Sequence, residues 1–208
     1  MAFVTLEGIE GSGKSTQARQ LAARLGPDTL LTQEPGGTDI GRAIRTLLLD
    51  HGHRVMAPAA EVLLFFADRA QHVAELVRPA LLAGRSVVSD RYTDSSLAYQ
   101  GYGRGLDRDL ILAVARLATD GLQPDFTILL DLPVEVGLAR AGRRGPHDRL
   151  EAEVREFHDR VRAGYIEMAS ADPARWVRVD AEGPPDEVAL RVAAAAEARG
   201  LVGRRAVS

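Results

Sequence analysis

A short glycine-rich segment near the amino terminus carries the clearest chemistry in the sequence. Residues 8–15 read GIEGSGKS and fit the pattern G-x-x-x-x-G-K-[ST] of a phosphate-binding loop. Glycines let successive backbone N–H groups turn inward around an anion, and the helix that follows points its positive end at the same place. The ammonium group of Lys14 can then reach phosphate oxygens, and the Ser15 hydroxyl can bind Mg²⁺. The segment therefore predicts a site for the phosphates of a nucleotide.

The basic residues narrow the class of nucleotide-binding protein. Of the 26 basic residues, 25 are arginines and only Lys14 is a lysine. A guanine-specific GTPase reads its base with an N-K-x-D motif, which this sequence lacks, and the Ser-Gly-Gly signature of transporter-type ATPases is also missing. A small-molecule kinase remains, in which the second substrate binds beside the nucleotide and a mobile lid excludes water.

Composition and charge exclude several other classes. The 208 residues include 46% hydrophobic residues, 26% charged residues and no cysteine, which suits one α/β domain and excludes disulfides and thiol nucleophiles. The net charge of −3 gives no whole-surface reason to bind nucleic acid or acidic membranes. No apolar run approaches the ~20 residues of a membrane span, and the amino terminus reads as a strand rather than a signal peptide. We therefore expect a cytoplasmic protein with no membrane or nucleic-acid partner.

Strand-like and helix-like segments alternate along the chain, which predicts a parallel sheet flanked by helices within a single domain over residues 1–208. We expect strands at 2–7, 28–33, 85–90, 125–132 and 176–180. We expect helices at 15–25, 38–50, 59–82, 106–120, 134–141, 150–171 and 185–199, with a helix and then a loop over 93–105. Pro79 should break or kink its helix. The polar segment 142–149 should form a short mobile lid, and the tail after residue 200 should fray.

Several arginines lie at predicted strand ends and loops, where substrates are expected to bind. Ligands of such sheets bind outside the carboxyl ends of the strands, and enzymes that transfer phosphoryl groups neutralise charge there. Arg91 directly follows the predicted strand at 85–90, which makes it the strongest candidate, whereas the other arginines can equally face solvent. The candidates at predicted strand ends and loops are Arg45, Arg69, Arg91, Arg104, Arg140, Arg143, Arg144 and Arg149.

Several motifs together resemble the thymidylate kinase family. They are Glu10 in the phosphate-binding loop, EPGGT at 34–38, Arg45 in RTLLLD, FFADR at 65–69, DRY at 90–92 and SSLAYQG at 95–101. The match extends in order from about residue 3 to about residue 180. The resemblance implies a P-loop NTPase fold with a five-stranded parallel sheet, the reaction ATP + dTMP → ADP + dTDP with Mg²⁺, and a homodimer.

The resemblance also implies a role for each matching residue. Glu10 would touch the sugar 3′-hydroxyl, Phe65 would stack on the thymine ring, and Arg69 would donate to its O4 atom. The residues implied in ATP binding are Gly8, Ile9, Glu10, Gly11, Ser12, Gly13, Lys14, Ser15, Thr16 and Arg140, the last against the adenine. Those implied in dTMP binding are Glu10, Glu34, Pro35, Arg45, Phe65, Arg69, Arg91, Ser96, Tyr99 and Gln100. Those implied in catalysis are Lys14, Glu10, Arg91, Arg143, Arg144 and Arg149, and the metal ligands are Ser15 and Asp90, directly or through water.

The catalytic cation and the class of acceptor each have alternatives. None of the free loop positions Ile9 to Ser12 is basic, so the resemblance assigns the cation to the lid, where Arg143 and Arg144 are equal candidates. A nucleoside kinase or a kinase of another nucleoside monophosphate is the main alternative, although a neutral acceptor would not need both Arg45 and Arg91. A nucleotide-binding module without catalytic activity is the second. The five histidines form no metal-binding pattern.

Overall fold

Five parallel strands form one sheet in the structure, a computed structural model that describes residues 1–50, 52, 56–143 and 148–201. The strands are β1 (Phe3–Glu7), β2 (Leu30–Gln33), β3 (Val87–Asp90), β4 (Phe126–Asp131) and β5 (Trp176–Asp180). They lie in the order β2-β3-β1-β4-β5, so the central strand β1 has a partner on each side. The predicted α/β class and all five predicted strands are confirmed.

Helices cover both faces of the sheet. They are α1 (Lys14–Leu25), α2 (Asp39–Leu49), α3 (Pro58–His72), α4 (Arg78–Leu82), α5 (Thr93–Ser96), α6 (Arg108–Thr119), α7 (Val134–Gly142), α8 (Arg155–Ala171) and α9 (Pro185–Ala198). Two wider, π-helical segments occur, Val73–Val77 between α3 and α4 and Leu97–Gly103 after α5. The second of these replaces the loop that was predicted to follow the helix at 93–105.

The long apolar segment at 59–82 stays helical through its proline. Pro79 lies at the start of α4 and has no N–H group to donate. In the π-helical segment just before it, the N–H of Arg78 donates to the carbonyl oxygen of Val73, five residues back. The irregularity predicted at Pro79 therefore takes the form of a widened turn, which lets the chain continue as a helix.

The segment that follows the predicted lid is a turn where a helix was predicted. Asp148 accepts hydrogen bonds from the N–H groups of Leu150 and Glu151, both at 2.9 Å, and this closes the chain into a turn. The predicted helix at 150–171 therefore begins only at Arg155. Residues 144–147 of the predicted lid and the tail after residue 201 lie outside the described residues.

The sheet brings the segments predicted to bind substrate to one edge. The strands β1, β3 and β4 are buried throughout, with α1 and α9 packed on one face and α8 on the other. Because all strands are parallel, the segments after Glu7, Gln33 and Asp90 emerge on the same side. Within the described ranges, no helix is both long enough and apolar enough to cross a membrane.

Candidate active site

A cavity of about 210 Å³ opens at the carboxyl ends of β1, β2 and β3. The predicted site residues on its wall are Glu10, Gly11, Gly13, Lys14, Ser15, Thr16, Glu34, Pro35, Arg45, Phe65, Asp90, Arg91, Ser96, Tyr99 and Gln100. The wall also contains residues that were not predicted as site residues, namely Gln33, Leu49, Ser95, Asp148, Leu150 and Glu151. Residues implied for the nucleotide and residues implied for the acceptor thus line one cavity, although Gly8, Ile9, Ser12, Arg69 and Arg140 are not on its wall.

The phosphate-binding loop has the backbone that its glycines predict. Gly8, Gly11 and Gly13 have φ angles of 145°, 69° and 92°. A Cβ atom at Gly11 would lie 2.0 Å from the carbonyl oxygen of Gly137, so only glycine fits there. At Gly13 the space that a Cβ would occupy is open, and α1 begins at the next residue. The loop therefore leaves room for an anion at the positive end of a helix.

Lys14 is folded back onto its own loop. Its Nζ donates to the carbonyl oxygens of Gly8 and Ile9, at 3.0 and 2.8 Å, and to Oγ of Ser12 at 3.3 Å. These three acceptors lie behind the cavity wall rather than on it. Burial and the charge of Arg91 lower the pKa of Lys14 to about 8. A phosphate in the loop would offer this ammonium group a stronger partner than the carbonyl oxygens that it now contacts.

Ser15 and Asp90 form a pair of oxygen donors beside the loop. The Ser15 hydroxyl donates to Oδ2 of Asp90 at 2.5 Å, while Oδ1 of Asp90 is buried without a hydrogen-bond partner among the described residues. This set fits Mg²⁺, which binds one or two protein oxygens and fills its other positions with phosphate and water. In the described part of the chain, no group of three or more His, Cys, Asp or Glu side chains could hold a metal by itself. The cation expected here would therefore be bound mainly by its nucleotide.

Arg91 and Glu10 form the charged centre of the cavity. Nη2 of Arg91 donates to Oε1 of Glu10 at 2.6 Å, and the Tyr99 hydroxyl donates to the same oxygen at 2.7 Å. The Arg91 guanidinium also lies 4.8 Å from the centre of the Tyr99 ring. Burial alone would raise the pKa of Glu10, but the charges of Arg91 and Lys14 lower it to about 2. Glu10 is therefore ionised at neutral pH and can only accept hydrogen bonds.

The backbone at Arg91 adopts a conformation that non-glycine residues rarely take. Its φ angle is 74°, which costs about 1–3 kcal/mol outside glycine. The conformation is fixed from both sides, because the Arg91 N–H donates to the carbonyl oxygen of Leu6 and the Arg91 carbonyl accepts from Ser89. A strained backbone held this firmly is typical of residues that work in an active site.

Glu7 holds the residues around Arg91 in place through hydrogen bonds. It was not predicted from the sequence as a site residue. Its fully buried carboxylate accepts from the Tyr92 N–H at 2.8 Å and from the Ser95 hydroxyl at 2.6 Å. Ser95 in turn accepts from Nη1 of Arg91 at 3.1 Å. Burial and the nearby charge of Asp94 raise the pKa of Glu7 to about 7. The last residue of β1 thus holds the segment that carries Arg91.

The acceptor side of the cavity combines a cation with an aromatic wall. Nη1 of Arg45 donates to the carbonyl oxygen of Pro35 at 2.8 Å, which aims the guanidinium across the turn after β2. Phe65 lies on the cavity wall, whereas its neighbour Phe66 is buried under the guanidinium of Arg69 at 4.7 Å. Of the two adjacent phenylalanines, Phe65 is thus the one available to a base.

Arg69 lies one layer behind the wall. Only 1% of the residue is exposed, and three of its nitrogens donate within the protein: Nε to Glu34 at 2.7 Å, Nη1 to Ser96 at 3.0 Å and Nη2 to the carbonyl oxygen of Tyr92 at 3.0 Å. His72 contacts the other oxygen of Glu34 at 2.7 Å. The structure thus holds the Arg69 guanidinium between Glu34, Ser96 and Tyr92, next to residues of the cavity wall, and its implied contact with the O4 atom of thymine stays a prediction.

Arg149 also has its partners within the protein. Its Nε donates to the carbonyl oxygen of Leu48 at 2.8 Å, and its Nη2 lies 2.6 Å from Oε2 of the buried Glu61. Arg149, at the end of the predicted lid, is therefore anchored to α2 and α3, and it does not lie on the cavity wall. The contact pairs the buried charge of Glu61, which would be costly to leave unpaired, and the implied catalytic role of Arg149 stays a prediction.

Of the remaining predicted cations, Arg140 and Arg143 belong to the described residues. Arg140 donates to the carbonyl oxygens of Ala181 and Gly183, at 2.9 and 3.1 Å, and so ties α7 to the loop after β5 where the adenine is expected. Arg143 is exposed at the end of α7, and Arg144 lies outside the described residues.

Comparison with known proteins agrees with this arrangement. The family model described as Thymidylate kinase matches residues 6–192. The thymidylate kinase of Desulfovibrio desulfuricans is 51% identical over 206 residues, which cover 94% of this chain and 95% of that protein, and the one from a Synechococcus species is 55% identical over 200 residues, with 95% of each covered. A crystal structure of thymidylate kinase from Ehrlichia chaffeensis superposes with a TM-score of 0.76 at 33% identity, covering 93% of this chain and 97% of that one. The family model and these relatives each match nearly the whole chain, and the chain therefore belongs to the thymidylate kinase family.

Proposed function

We propose that this chain transfers the γ-phosphoryl group of ATP to dTMP, giving ADP and dTDP, and that the cavity at the strand ends is where the transfer occurs. One observation carries the proposal: the phosphate-binding loop and the acceptor-side residues Arg45, Arg91 and Phe65 line the same cavity. Phosphoryl transfer needs little covalent chemistry from the protein, and the rate comes from holding two phosphates in line and neutralising their charge. One cavity with cations from both sides meets that need.

On the donor side, the loop at 8–15 holds the phosphates of ATP through its N–H groups, and Lys14 adds a positive charge. Ser15 and Asp90 would hold Mg²⁺, which supplies charge neutralisation at the phosphates when bound. Arg140 lies beside the loop that follows β5 and would face the adenine. Arg143 and Arg144 stay the predicted source of a further cation from the lid.

On the acceptor side, Arg45 and Arg91 bind the phosphate of dTMP, and Phe65 stacks on the base. Glu10 is ionised and accepts a hydrogen bond from the 3′-hydroxyl of the deoxyribose. Its contact with Arg91 also fixes the guanidinium at 2.6 Å from the carboxylate, so the cation is already in place before the acceptor arrives.

An assay of ADP release across nucleoside monophosphates tests this function. We expect turnover with dTMP, weaker turnover with dUMP, little with AMP or dCMP, and loss of the activity when EDTA removes Mg²⁺. Turnover of AMP or dCMP in the absence of any turnover of dTMP would contradict the proposal. Binding of ATP without turnover of any acceptor would instead favour a nucleotide-binding module. Since ATP and dTMP are metabolites of the cytoplasm, we place the protein there.

A second copy of this chain is the proposed partner, as the family resemblance implies. Leu63 on α3 and Leu110 and Leu117 on α6 are 60%, 63% and 85% exposed, although α3 and α6 pack against each other. Three exposed leucines on two adjacent helices suit burial in a subunit interface. We expect a dimer in sedimentation velocity at micromolar concentration and a shift toward monomer in Leu117→Arg. A monomeric wild type would refute the dimer.

A further inference from the structure

Gln100 on the cavity wall is held by a buried carboxylate outside the cavity. Its Nε2 donates to Oε1 of Glu61 at 2.9 Å. Glu61 is completely buried in the first turn of α3, and its two oxygens also accept from Nε and Nη2 of Arg104, at 2.6 and 2.9 Å. Burial would raise the pKa of Glu61, but its hydrogen bonds from Arg104 and Gln100 lower it overall. Glu61 therefore stays ionised and can act only as an acceptor.

An ionised Glu61 fixes which end of the Gln100 amide faces the cavity. An amide has one donor group and one acceptor atom, and they point in different directions. With the NH₂ group committed to Glu61, Oε1 is the atom left to meet a ligand. Rotating the amide by half a turn would set two acceptor oxygens against each other in a buried place, which is strongly unfavourable.

Ser96 presents a hydrogen-bond donor to the cavity, because its own partner within the protein can only donate. Its Oγ accepts from Nη1 of Arg69 at 3.0 Å, and the guanidinium of Arg69 can only donate. The hydroxyl proton of Ser96 must therefore point elsewhere, and Ser96 lies on the cavity wall. Ser96 and Gln100 are four residues apart in one helical stretch, so they address the same edge of a ligand.

We propose that Glu61 is a specificity-determining positioning residue: it makes Gln100 an acceptor while Arg69 makes Ser96 a donor, so that the pocket selects a 4-oxo pyrimidine over a 4-amino pyrimidine. This inference rests on the proposed dTMP kinase function. Thymine and uracil present an N3–H donor beside the O4 acceptor, which matches the pair of Gln100 and Ser96. Cytosine presents an N3 acceptor beside an N4 amino donor, so both contacts would be reversed. Sites that recognise a polar edge in this way discriminate by about 10⁴-fold.

The variant Glu61→Gln should turn Gln100 from a hydrogen-bond acceptor into a donor toward the cavity, with little change in side-chain volume. Oε2 of Glu61 faces one nitrogen each of Arg104 and Arg149, whereas Oε1 faces Gln100 and only Nε of Arg104, so the amide oxygen of the new side chain should take the place of Oε2 and Nε of Arg104 must turn away. Its NH₂ group would then replace Oε1 and face Gln100, whose own amide must turn to accept from it. Gln100 would then present its NH₂ group to the cavity, as N3 of cytosine requires.

The experiment is the ratio of kcat/KM for dTMP to kcat/KM for dCMP in purified protein. We expect Glu61→Gln to lower this ratio at least ~10²-fold, with the dTMP/dUMP ratio unchanged, because thymine and uracil share the same edge. Gln100→Met, which leaves Glu61 in place, should lower the ratio at least ~10-fold. The matched control is Arg149→Met, which removes another partner of Glu61 and should change kcat/KM for both acceptors by the same factor.

The outcomes separate this inference from the function on which it rests. If the wild type does not phosphorylate dTMP, the proposed function fails. If it does, and Gln100→Met and a folded Glu61→Gln both keep the wild-type dTMP/dCMP ratio within ~3-fold, the assignment of Glu61 is overturned. If Glu61→Gln shows no cooperative thermal transition, the dTMP/dCMP ratio of Gln100→Met is the test, and a ratio within ~3-fold of the wild type overturns the assignment. An equal loss with dTMP, dUMP and dCMP in both variants would show that Glu61 only stabilises the fold, and would also overturn the proposal.

Discussion

Replacing Arg91 with methionine is expected to lower kcat for dTMP phosphorylation about 10³-fold, which is about 4 kcal/mol of lost transition-state stabilisation. The guanidinium lies on the cavity wall and is fixed there by Glu10 and Ser95, so under the proposed function it would neutralise charge on the phosphoryl group during transfer. Methionine keeps the unbranched stem and loses only the charged fork. Because neither residue is glycine, both must accept the same backbone strain at φ 74°.

Two further variants distinguish catalysis from folding at this position. Arg91→Lys keeps the charge but not the planar fork, and we expect it to recover only part of the lost kcat. Glu10→Gln combined with Arg91→Met removes the carboxylate that the single variant leaves without its guanidinium partner. We expect this double variant to recover Tm without recovering kcat. An Arg91→Met protein with kcat within ~10-fold of the wild type would exclude Arg91 from the chemical step.

The features of the cavity that the sequence predicts are those that depend only on residues near each other in the chain. The loop at 8–15 needs only glycines, one lysine and a helix that starts next to it, and all of these are adjacent in the chain. The place of Arg91 on the cavity wall followed from a buried strand ending at Asp90, since parallel strands end where ligands bind. The five strands were found for the same reason, because each is a short apolar run between turns.

The contacts that the sequence does not predict depend on which distant residue a side chain meets. Arg69 and Arg149 are arginines in motifs that resemble substrate-binding segments, yet each is held by a buried carboxylate far away in the chain, Glu34 and Glu61 respectively. Nothing in the local sequence marks Glu61 as buried, since glutamates in the first turn of a helix usually face solvent. Glu7 was read only as the end of a strand. Its role depends on Ser95, 88 residues later.

One sequence signal would have helped with these buried carboxylates. A glutamate inside an otherwise apolar stretch, such as Glu7 after FVTL, is costly to bury unless donors surround it. Such a residue therefore predicts that partners must exist, although it does not say which ones. In this chain the partners are the segments that carry the acceptor-side residues. The positions of side chains on the cavity wall thus depend on buried carboxylates that lie far away in the sequence.

Replacing Lys14 with methionine should lower kcat about 10²-fold or more, because the ammonium group stabilises charge that develops on the transferred phosphoryl group. Lys14→Arg is the matched control. It keeps the charge, but the bulkier fork cannot enter the space between Gly8, Ile9 and Ser12, so we expect little recovery. A kcat equal to that of the wild type in Lys14→Met would refute the role of Lys14 in the transfer step.

The pH dependence of ATP use provides a separate test of Lys14. With a pKa of about 8 in the free protein, the side chain is protonated below pH 8 and increasingly neutral above it. ATP binds the protonated form better, so kcat/KM for ATP should fall toward tenfold per pH unit above pH 8. Glu7, with a pKa of about 7, is already mostly ionised at pH 8, so a difference between the profiles of the wild type and Lys14→Met from pH 8 to pH 10 reports on Lys14. If both proteins lose kcat/KM equally between pH 8 and pH 10, the ammonium group of Lys14 is not the group that ATP requires.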